Sequence, residues 1–402
     1  MLRPYADVLR TPGALAFSAT GLLARLPMSM WGLGIVLLVS ARTGSYGVAG
    51  LLAAVGVLAQ SAASPVQARL VDHWGQRRVL LPLLAVHTVA LLAFLAEVVA
   101  DASVWMLSLA AAVAGAGLPQ FGALVRARWA AIHGGTRHLH TAYSLESVLD
   151  EVVFIVGPVL VTVLAVHVDP LAGLGSTAVL TLAGGLLFAA QRATEPRLRP
   201  RAPGVVRAPL PVGTMVWVVA AFVGMGSLFG TIEVATVAFT EDVATRAAAG
   251  PVLAVFAAGS LVAGVVVGAM SLRSSSQRRF VAGQAALTAA TVLLLFVGSV
   301  PTLAAAALLC GLTISPTLIA GFSLVEATVP PSRLTEGLAW VSTALGGGVA
   351  LGAAVTGRVV DLAGPSAGFG VAVAGGLVAT LAAAVGAVLR PALPRATATV
   401  SA

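Results

Sequence analysis

Three acidic residues in one apolar stretch are the side chains of this chain best suited to carry a proton. Glu146, Asp150 and Glu151 lie close together and are followed by the pair Gly157 and Pro158. On a helix, Glu146 and Asp150 share a face, whereas Glu151 lies about 100° further around the axis than Asp150. Two carboxylates on one face disfavour double ionisation, which favours holding a proton. The pattern predicts a proton-coupling site in a helix that contains these acids.

A second interpretation of Glu146 stays open. This residue lies near the start of its apolar stretch, so it is also placed to cap the helix or to form a salt bridge there. Arg126, Arg128 or Arg137 would be the partner. Asp150 and Glu151 lie one or two turns deeper, where a coupling or gating role is the alternative to a plain structural one.

Two further charges interrupt apolar stretches. Arg25 precedes Pro27 and would face a central cavity, paired with one of the carboxylates or with an anionic substrate group. Its long side chain could instead extend to the membrane interface. Glu233 follows the small residues Gly226, Ser227 and Gly230, and we expect it to bind a proton or the substrate.

A weak internal repeat in the sequence adds a last acidic candidate. Glu336 lies as many residues before Gly347 as Glu146 lies before Gly157. Such repeats are typical of transporters built from two related halves, with the substrate site between them near mid-membrane. We therefore include Glu336 among the predicted proton or substrate residues.

Composition excludes a soluble protein. Hydrophobic residues form 58% of the 402-residue chain and charged residues 9%, against roughly 25% charged in a typical soluble domain. Apolar runs recur along the whole length, and each is long enough to cross a hydrocarbon core about 30 Å thick. An ionised group at mid-depth costs roughly 2.5–3.5 kcal/mol, so the few charges inside these runs are functional candidates.

The chain shows no sign of an enzyme, a cofactor or a metal. It has no Gly-x-x-x-x-Gly-Lys-[Ser/Thr] nucleotide loop, so ATP hydrolysis is not expected. His133, His138 and His140 share a loop with Arg137, but no acid or cysteine there completes a metal site. We predict no catalytic residues, no cofactor and no metal.

The apolar runs predict an all-α membrane protein with twelve transmembrane helices in two pseudo-symmetric six-helix bundles. The expected domains are 1–191, a cytoplasmic linker at 192–210, 211–390, and a cytoplasmic tail at 391–402. The predicted spans are 13–40, 45–70, 78–99, 103–125, 142–167, 170–191, 211–239, 247–272, 280–299, 302–325, 335–360 and 367–389.

Arginine placement predicts the orientation. All 23 basic residues are arginine, and with both termini inside, only Arg42, Arg246 and Arg358 fall in outer segments, while Arg25 falls within a span. Cytoplasmic loops of membrane proteins carry such an excess of basic residues. The net charge of +8 therefore reflects one membrane face and does not indicate nucleic-acid binding. We expect a monomer in a lipid bilayer.

The segment from Gln67 to Leu80 carries a recognisable loop. It resembles the loop between helices 2 and 3 of the major facilitator superfamily, Gly-x-Leu-x-Asp-Arg-x-Gly-Arg-Arg. The matching residues are Leu70, Asp72, Gly75, Arg77 and Arg78, while Ala68 replaces the first glycine and His73 and Gln76 replace basic residues.

The resemblance implies a secondary transporter in which Asp72, Gly75, Arg77 and Arg78 form a conformational latch. In the family, such charges contact neighbouring helix ends and steady the outward-facing arrangement. Gly157-Pro158 is similar to the Gly-Pro of the span-5 motif of superfamily antiporters, and would allow a bend or close packing.

The overall pattern looks like the drug- and metabolite-efflux branch found in bacteria. It implies a protein of the bacterial cytoplasmic membrane that exports a small, partly hydrophobic compound in exchange for protons by alternating access. Uptake of a small nutrient or organic anion is the alternative; the absence of asparagine counts against sugars. A non-transporting membrane receptor is the third interpretation.

Overall fold

The computed structural model describes residues 3–133, 136–196, 210–269, 274–330 and 334–389, and within these ranges it contains helices and no strand. Three short 3-10 helices lie at Arg192–Thr194, Arg246–Ala248 and Leu293–Phe296. The α-helices are α1 Arg3–Leu9, α2 Ala14–Thr43, α3 Tyr46–Trp74, α4 Gln76–Val99, α5 Val104–Gly117, α6 Phe121–His133, α7 Arg137–His167, α8 Pro170–Ala190, α9 Val212–Val243, α10 Ala249–Ala269, α11 Ser276–Val292, α12 Val300–Thr328, α13 Leu334–Ala363 and α14 Pro365–Leu389.

Twelve segments of the described chain are long and apolar enough to cross a membrane, which confirms the predicted fold class. The predicted bounds of the spans differ from the observed ones by a few residues, and the largest difference is at 103–125: this span runs from Val104 to His133 and is interrupted between α5 and α6. Pro119 lies in the interruption, where it removes a backbone N–H and restricts the residue before it. The segment beyond 125 stays helical although it contains Arg126 and Arg128.

The connections between spans define two ends of the bundle. The distal end carries the connections after spans 1, 3, 5, 7, 9 and 11, such as 43–46 and 363–365. The terminal end carries the others, such as 74–76 and 190–212, together with the start of α2 and the end of α14. Much of the predicted linker and the whole predicted tail lie outside the described residues.

The hydrophobic core is shared at one end and divided at the other. One large buried cluster joins residues of the first six spans, such as Trp31 and Phe94, to residues of the last six, such as Ile232 and Phe256. Towards the terminal end, the cluster around Trp129 contains only residues of α1 to α8, and the cluster around Phe222 only residues from position 215 onwards. The two six-span groups are therefore packed together in the distal part of the bundle.

Glycines allow the closest approach between the groups. Gly50 of α3 lies against the carbonyl of Ala353 in α13, and Gly357 lies against the carbonyl of Tyr46. A Cβ atom at either glycine would overlap that oxygen, so a larger residue would separate the helices. The antiparallel pair α3 and α13 thus forms the main seam between the groups.

Polar contacts close the same seam at its distal end. Asp361 of α13 accepts hydrogen bonds from the Ser45 hydroxyl at 2.7 Å, the Tyr46 backbone N–H at 2.8 Å and the Gly47 backbone N–H at 2.8 Å. These N–H groups belong to the first turn of α3, where no intrahelical acceptor exists and a negative charge is favoured. Asp361 of one group therefore caps a helix of the other, and we name this set of four residues the distal cap.

A second set of contacts lies beside the distal cap. The Tyr46 hydroxyl donates a hydrogen bond to Glu241 of α9, and Glu241 forms a 2.7 Å ion pair with Arg246. Arg246 also donates to the backbone carbonyl of Leu37 in α2 at 3.4 Å. Among the described residues, every hydrogen bond between the two groups lies at this end or near mid-depth, so the distal end is the closed one.

We predict that Asp361→Ala loosens the distal end. Loss of the shared cap should destabilise the closed arrangement relative to the open one by about 1 kcal/mol, as for removal of a helix N-cap. Arg42 and Asp242 are two exposed positions at this end, and spin labels can be attached to Arg42→Cys and Asp242→Cys. Double electron-electron resonance spectroscopy should show a broader distribution with longer distances in Asp361→Ala than in the unaltered cap.

Asp101→Asn provides the matched control. Asp101 is an exposed acid at the same end, its backbone has a φ of 51° that asparagine also tolerates, and it lies outside the seam. An unchanged distance distribution in Asp361→Ala would show that the cap does not hold the distal end closed.

Candidate functional site

A group of four charges joins three helices of the first six spans; Arg25 and Glu146 are buried, whereas Asp150 and Arg126 are partly exposed. Arg25 of α2 forms ion pairs with Glu146 at 2.5 Å and Asp150 at 2.7 Å, both on α7. Asp150 forms a further 2.7 Å pair with Arg126 of α6. We name Arg25, Arg126, Glu146 and Asp150 the ionic cluster; its two positive and two negative charges balance.

Glu146 is the most enclosed member of the ionic cluster. Its side chain is fully buried, and it accepts hydrogen bonds from the Ser18 hydroxyl at 2.7 Å and the Trp129 indole N–H at 2.8 Å besides the Arg25 pair. The guanidinium of Arg25 also donates to the carbonyl of Gly21 at 3.1 Å. A buried charge is tolerated when it is paired and its remaining hydrogen-bonding positions are filled, and both conditions hold here.

This arrangement bears on the alternative interpretations of Arg25 and Glu146 that the sequence left open. Arg25 does not extend to the membrane interface, because its side chain is only 2% exposed and lies against the two carboxylates. Glu146 is salt-bridged to Arg25, and Arg126 instead pairs with Asp150. The side chain of Arg137 lies outside the described part of the chain.

Arg128 is a structural residue of the terminal end. It is buried, its guanidinium stacks 3.7 Å above the ring of Phe188, and it donates to the carbonyls of Phe188 and Gln191. Its Nε also donates to the side chain of Gln76 at 2.9 Å. Arg128 therefore fixes α6 against the start of α4 and the end of α8, which explains why this arginine lies within a helix of the span.

The predicted latch loop makes its described contact with Glu195, just after the sixth span. The Arg77 backbone N–H donates to the carboxylate of Glu195 at 2.9 Å, and Gly75 adopts a φ of 87°, which favours glycine. Asp72 is exposed and forms no ion pair or hydrogen bond with a described residue. The latch role of Asp72, Gly75, Arg77 and Arg78 stays a prediction. In this arrangement Asp72 contacts no described residue of the second six-span group through an ion pair or hydrogen bond.

The pair Gly157 and Pro158 lies where α7 meets two other helices. Gly157 faces Ser29 of α2, and Gly250 of α10 lies against the backbone carbonyl of Pro158. A Cβ atom at Gly250 would lie 2.6 Å from that oxygen. The pair therefore allows close packing between α7 and helices of both groups.

A cavity of about 420 Å³ lies between the two six-span groups. Its polar lining is sparse and comprises Ser29, Gln60, Glu151, Glu233 and Ser260, with the Trp31 indole beside them. Its other walls are aliphatic and aromatic, and they include Met28, Phe154, Phe229, Phe256, Ile314 and Leu318. Such a mostly apolar cavity with a few polar groups is typical of a small-molecule site.

Glu151 faces the second group across this cavity. The rotation around α7 that separates it from Asp150 turns it away from the ionic cluster and towards α10 and α12. Its carboxylate lies 3.5 Å from the hydroxyl of Ser315, which lies 2.8 Å from the hydroxyl of Ser260. Among the described residues, Glu151 therefore interacts with hydroxyl groups and not with a cation.

Glu233 enters the cavity from α9. Its carboxylate lies beside Gly32 of α2, so closely that a Cβ atom there would lie 2.8 Å from its Oε1. It forms no hydrogen bond or ion pair with another described residue. Glu336 belongs to α13, but its side chain lies outside the described part of the chain, so its predicted role is untested.

Several residues of this site were missed from the sequence. Ser260 and Ser315 carry no local signal, because single serines in apolar helices are common and only the packing of α10 on α12 brings them to Glu151. Trp129 was also missed, although its spacing from Arg126 places it one helical turn further along α6. The distal cap residue Asp361 lies at a helix end, where sequence alone does not show which helix it meets.

The sequence matches the family model of the Major Facilitator Superfamily over residues 17–244 and 216–402. The chain belongs to the major facilitator superfamily. This membership identifies a transporter and not an enzyme, and the twelve spans make it a multi-pass membrane protein.

Solved structures of transporters share this superfamily fold. A mutant of the nucleoside transporter NupG superposes with a TM-score of 0.74 at 13% sequence identity, covering 94% of this chain and 99% of that one. The POT family transporter PepTSo gives a TM-score of 0.70 at 11% identity, covering 94% and 97%. A POT family transporter in complex with 5-aminolevulinic acid gives 0.72 at 11%, covering 94% and 96%.

No curated protein sequence matches this superfamily member. At 11–13% identity, the solved structures establish the fold alone and assign no substrate.

The ionic cluster generates a stability prediction. Arg25→Met leaves Glu146 buried without a cation, which should lower the free energy of unfolding by about 3 kcal/mol or more. The double variant Arg25→Met/Glu146→Gln should recover part of that loss, because it removes both charges of the pair. Denaturant unfolding of purified protein in detergent measures both values.

Arg10→Met is the control, because Arg10 is 81% exposed and forms only a peripheral 3.6 Å pair with Asp7. It should unfold like the wild type. Equal stability of Arg25→Met and wild type would contradict the assigned role of the ionic cluster.

Proposed function

We propose that this superfamily member exports a small, partly hydrophobic compound in exchange for protons, by alternating access between two halves. The halves correspond to 1–191 and 211–390, joined by a cytoplasmic linker at 192–210 and followed by a tail at 391–402. The protein would act as a monomer in the cytoplasmic membrane of a bacterium, with both termini in the cytoplasm.

The observation that carries this proposal is the cavity with its two free carboxylates. The cavity lies between the groups, where alternating access requires the substrate site. Its apolar walls suit a partly hydrophobic compound, and its volume of about 420 Å³ suits a small one.

Glu151 and Glu233 are the proton carriers in this proposal. Arg25 and Arg126 balance Glu146 and Asp150, so the ionic cluster has no unpaired charge left for coupling. Glu151 and Glu233 line the cavity without a cationic partner in the described part of the chain. An ion at this depth is costly unless neutralised, so each carboxylate is stabilised by a proton or by a bound cation.

In this proposal the ionic cluster has a structural role. It holds α2, α6 and α7 together while the halves move. It contributes to proton coupling only indirectly, because α7 also carries Glu151. Uptake of an organic anion is less well supported, because none of the described residues that line the cavity is basic.

The Asp72 loop would act as the latch of the terminal end. Asp72 lies in the last turn of α3, at the end of the bundle where α13 begins, and a helix N-terminus attracts a negative charge. Closure of the terminal end would bring the two together when the distal end opens. The exposed, unpaired Asp72 of the present arrangement suits a latch that is released while the distal cap is formed.

Transport in proteoliposomes tests the proposal. Purified protein is reconstituted, a pH gradient is imposed, and a panel of lipophilic drugs and small metabolites is screened while internal pH is recorded. Substrate movement against proton flow is the expected result. Substrate and proton moving together would establish uptake, and substrate movement without proton flux would exclude coupling to protons.

We predict that Glu151→Gln and Glu233→Gln each lower proton-driven transport by about tenfold or more, corresponding to about 1.4 kcal/mol or more. Neither amide can release a proton, although each keeps the shape and the hydrogen-bonding oxygen of the acid. Glu326→Gln makes the same change at an exposed position near the end of α12 and should transport normally. Intact proton coupling in both cavity variants would refute the assignment.

A separate prediction concerns the latch. Asp72→Asn should slow transport severalfold while the substrate affinity in detergent stays unchanged, because the residue lies outside the cavity. Glu195→Gln, which keeps an acceptor for the Arg77 backbone N–H, separates this effect from simple loosening of the loop. Normal transport by Asp72→Asn would remove the latch role.

A further inference from the structure

We infer that the substrate is a lipophilic monovalent cation, bound between Glu151 and Glu233 against the aromatic wall of the central cavity. The inference rests on the proposed transport function and adds the charge of the compound to it. It depends on three features of the cavity: its charge balance, its aromatic residues and the position of its acids.

The charge balance favours a positive ligand. Within the described chain, the two arginines of the ionic cluster are matched by two carboxylates, which leaves Glu151 and Glu233 unmatched. The described residues that line the cavity include these two acids and no arginine, lysine or histidine. A cation in the cavity would balance the charge of these acids, whereas an anion would be repelled by both carboxylates.

The walls favour a lipophilic cation over a hydrated one. Trp31, Phe154, Phe229 and Phe256 line the cavity from four different helices. Aromatic faces attract an organic cation electrostatically, and their apolar area binds its hydrocarbon part. A small metal ion would instead need several oxygen ligands close together, and the described residues contain no such group.

The position of the acids sets the net charge of the ligand. Glu151 belongs to α7 and Glu233 to α9, so one acid comes from each six-span group. Ser315 and Ser260 lie beside Glu151, and these hydroxyls can hold its carboxyl group in either protonation state. Glu233 has no such partner among the described residues and lies beside Gly32, so it is the acid that most needs a positive ligand. One fixed charge on the ligand satisfies this arrangement.

Equilibrium binding of two rigid ions of the same shape tests the inference. Tetraphenylphosphonium and tetraphenylborate both carry four phenyl groups but have opposite charges, and neither can take up or release a proton. Binding of each to the purified full-length protein in detergent is measured by isothermal titration calorimetry. We expect tetraphenylphosphonium to bind and tetraphenylborate not to bind.

Variants assign the binding to the two acids. Glu233→Gln should weaken tetraphenylphosphonium binding by about tenfold or more, as expected for loss of a charged contact. Glu151→Gln should weaken it in the same direction. Glu233→Asp keeps the charge and should retain binding, which separates the loss of charge from misfolding, and Glu326→Gln should bind like the wild type.

Two results would overturn the inference: equal affinity for both ions, or unchanged tetraphenylphosphonium affinity in both glutamine variants. The assay involves no proton gradient, so it is independent of the transport test. Acid-dependent cation binding without proton flux would support the substrate class and contradict proton exchange. Proton-driven movement of neutral compounds, with no cation binding, would contradict the substrate class and support the transport function.

Discussion

The buried pairing of Arg25 with Glu146 and Asp150 is the interaction on which the rest of this site depends. An arginine at this depth is strongly disfavoured unless its charge is matched and its donors are used, and here two carboxylates and a backbone carbonyl supply both. Once Arg25 is present, Glu146 and Asp150 are required by it, and Arg126 is required to balance the second acid. The three helices that carry these residues are thereby held in one register, and none of the four charges is left for a ligand.

Because Arg25 pairs with Glu146 and Asp150, neighbouring residues of α7 have different roles. Glu146 and Asp150 lie on the face that meets α2 and α6, whereas Glu151 is turned by about 100° towards the second six-span group. The same helix therefore carries a balanced structural network and an unbalanced carboxylate side by side. Gly157 and Pro158, one to two turns further along, bring α7 close to α2 and α10, so a change at Glu151 acts on a helix that contacts both groups.

The sequence predicted the helices far better than the contacts between them. Long apolar runs located all twelve spans, because a hydrocarbon core demands length and composition that are visible locally. The fourth span was the exception: it was predicted to end at 125, before Arg126 and Arg128. Arg126 instead pairs with Asp150, and Arg128 donates to the carbonyls of Phe188 and Gln191 and stacks on the Phe188 ring. Helical spacing also predicted the shared face of Glu146 and Asp150. The partners of Glu151 and Asp361 could not be predicted, since they come from helices distant in the chain whose relative rotation is set by packing.

The seam between α3 and α13 links the two ends of the molecule. The helices are antiparallel, so the N-terminus of α3 and the end of α13 meet at the distal end, where Asp361 supplies the negative charge that exposed N–H groups favour. The same symmetry places Asp72, near the end of α3, at the level where α13 begins. Each helix thus carries an acid near its C-terminus and offers an N-terminus to its partner. The core is joined across the groups only in its distal part, so one acid is engaged and the other is free. If Asp72 caps α13 when the terminal end closes, as proposed above, the pair favours one closed end at a time, because forming one cap separates the residues of the other.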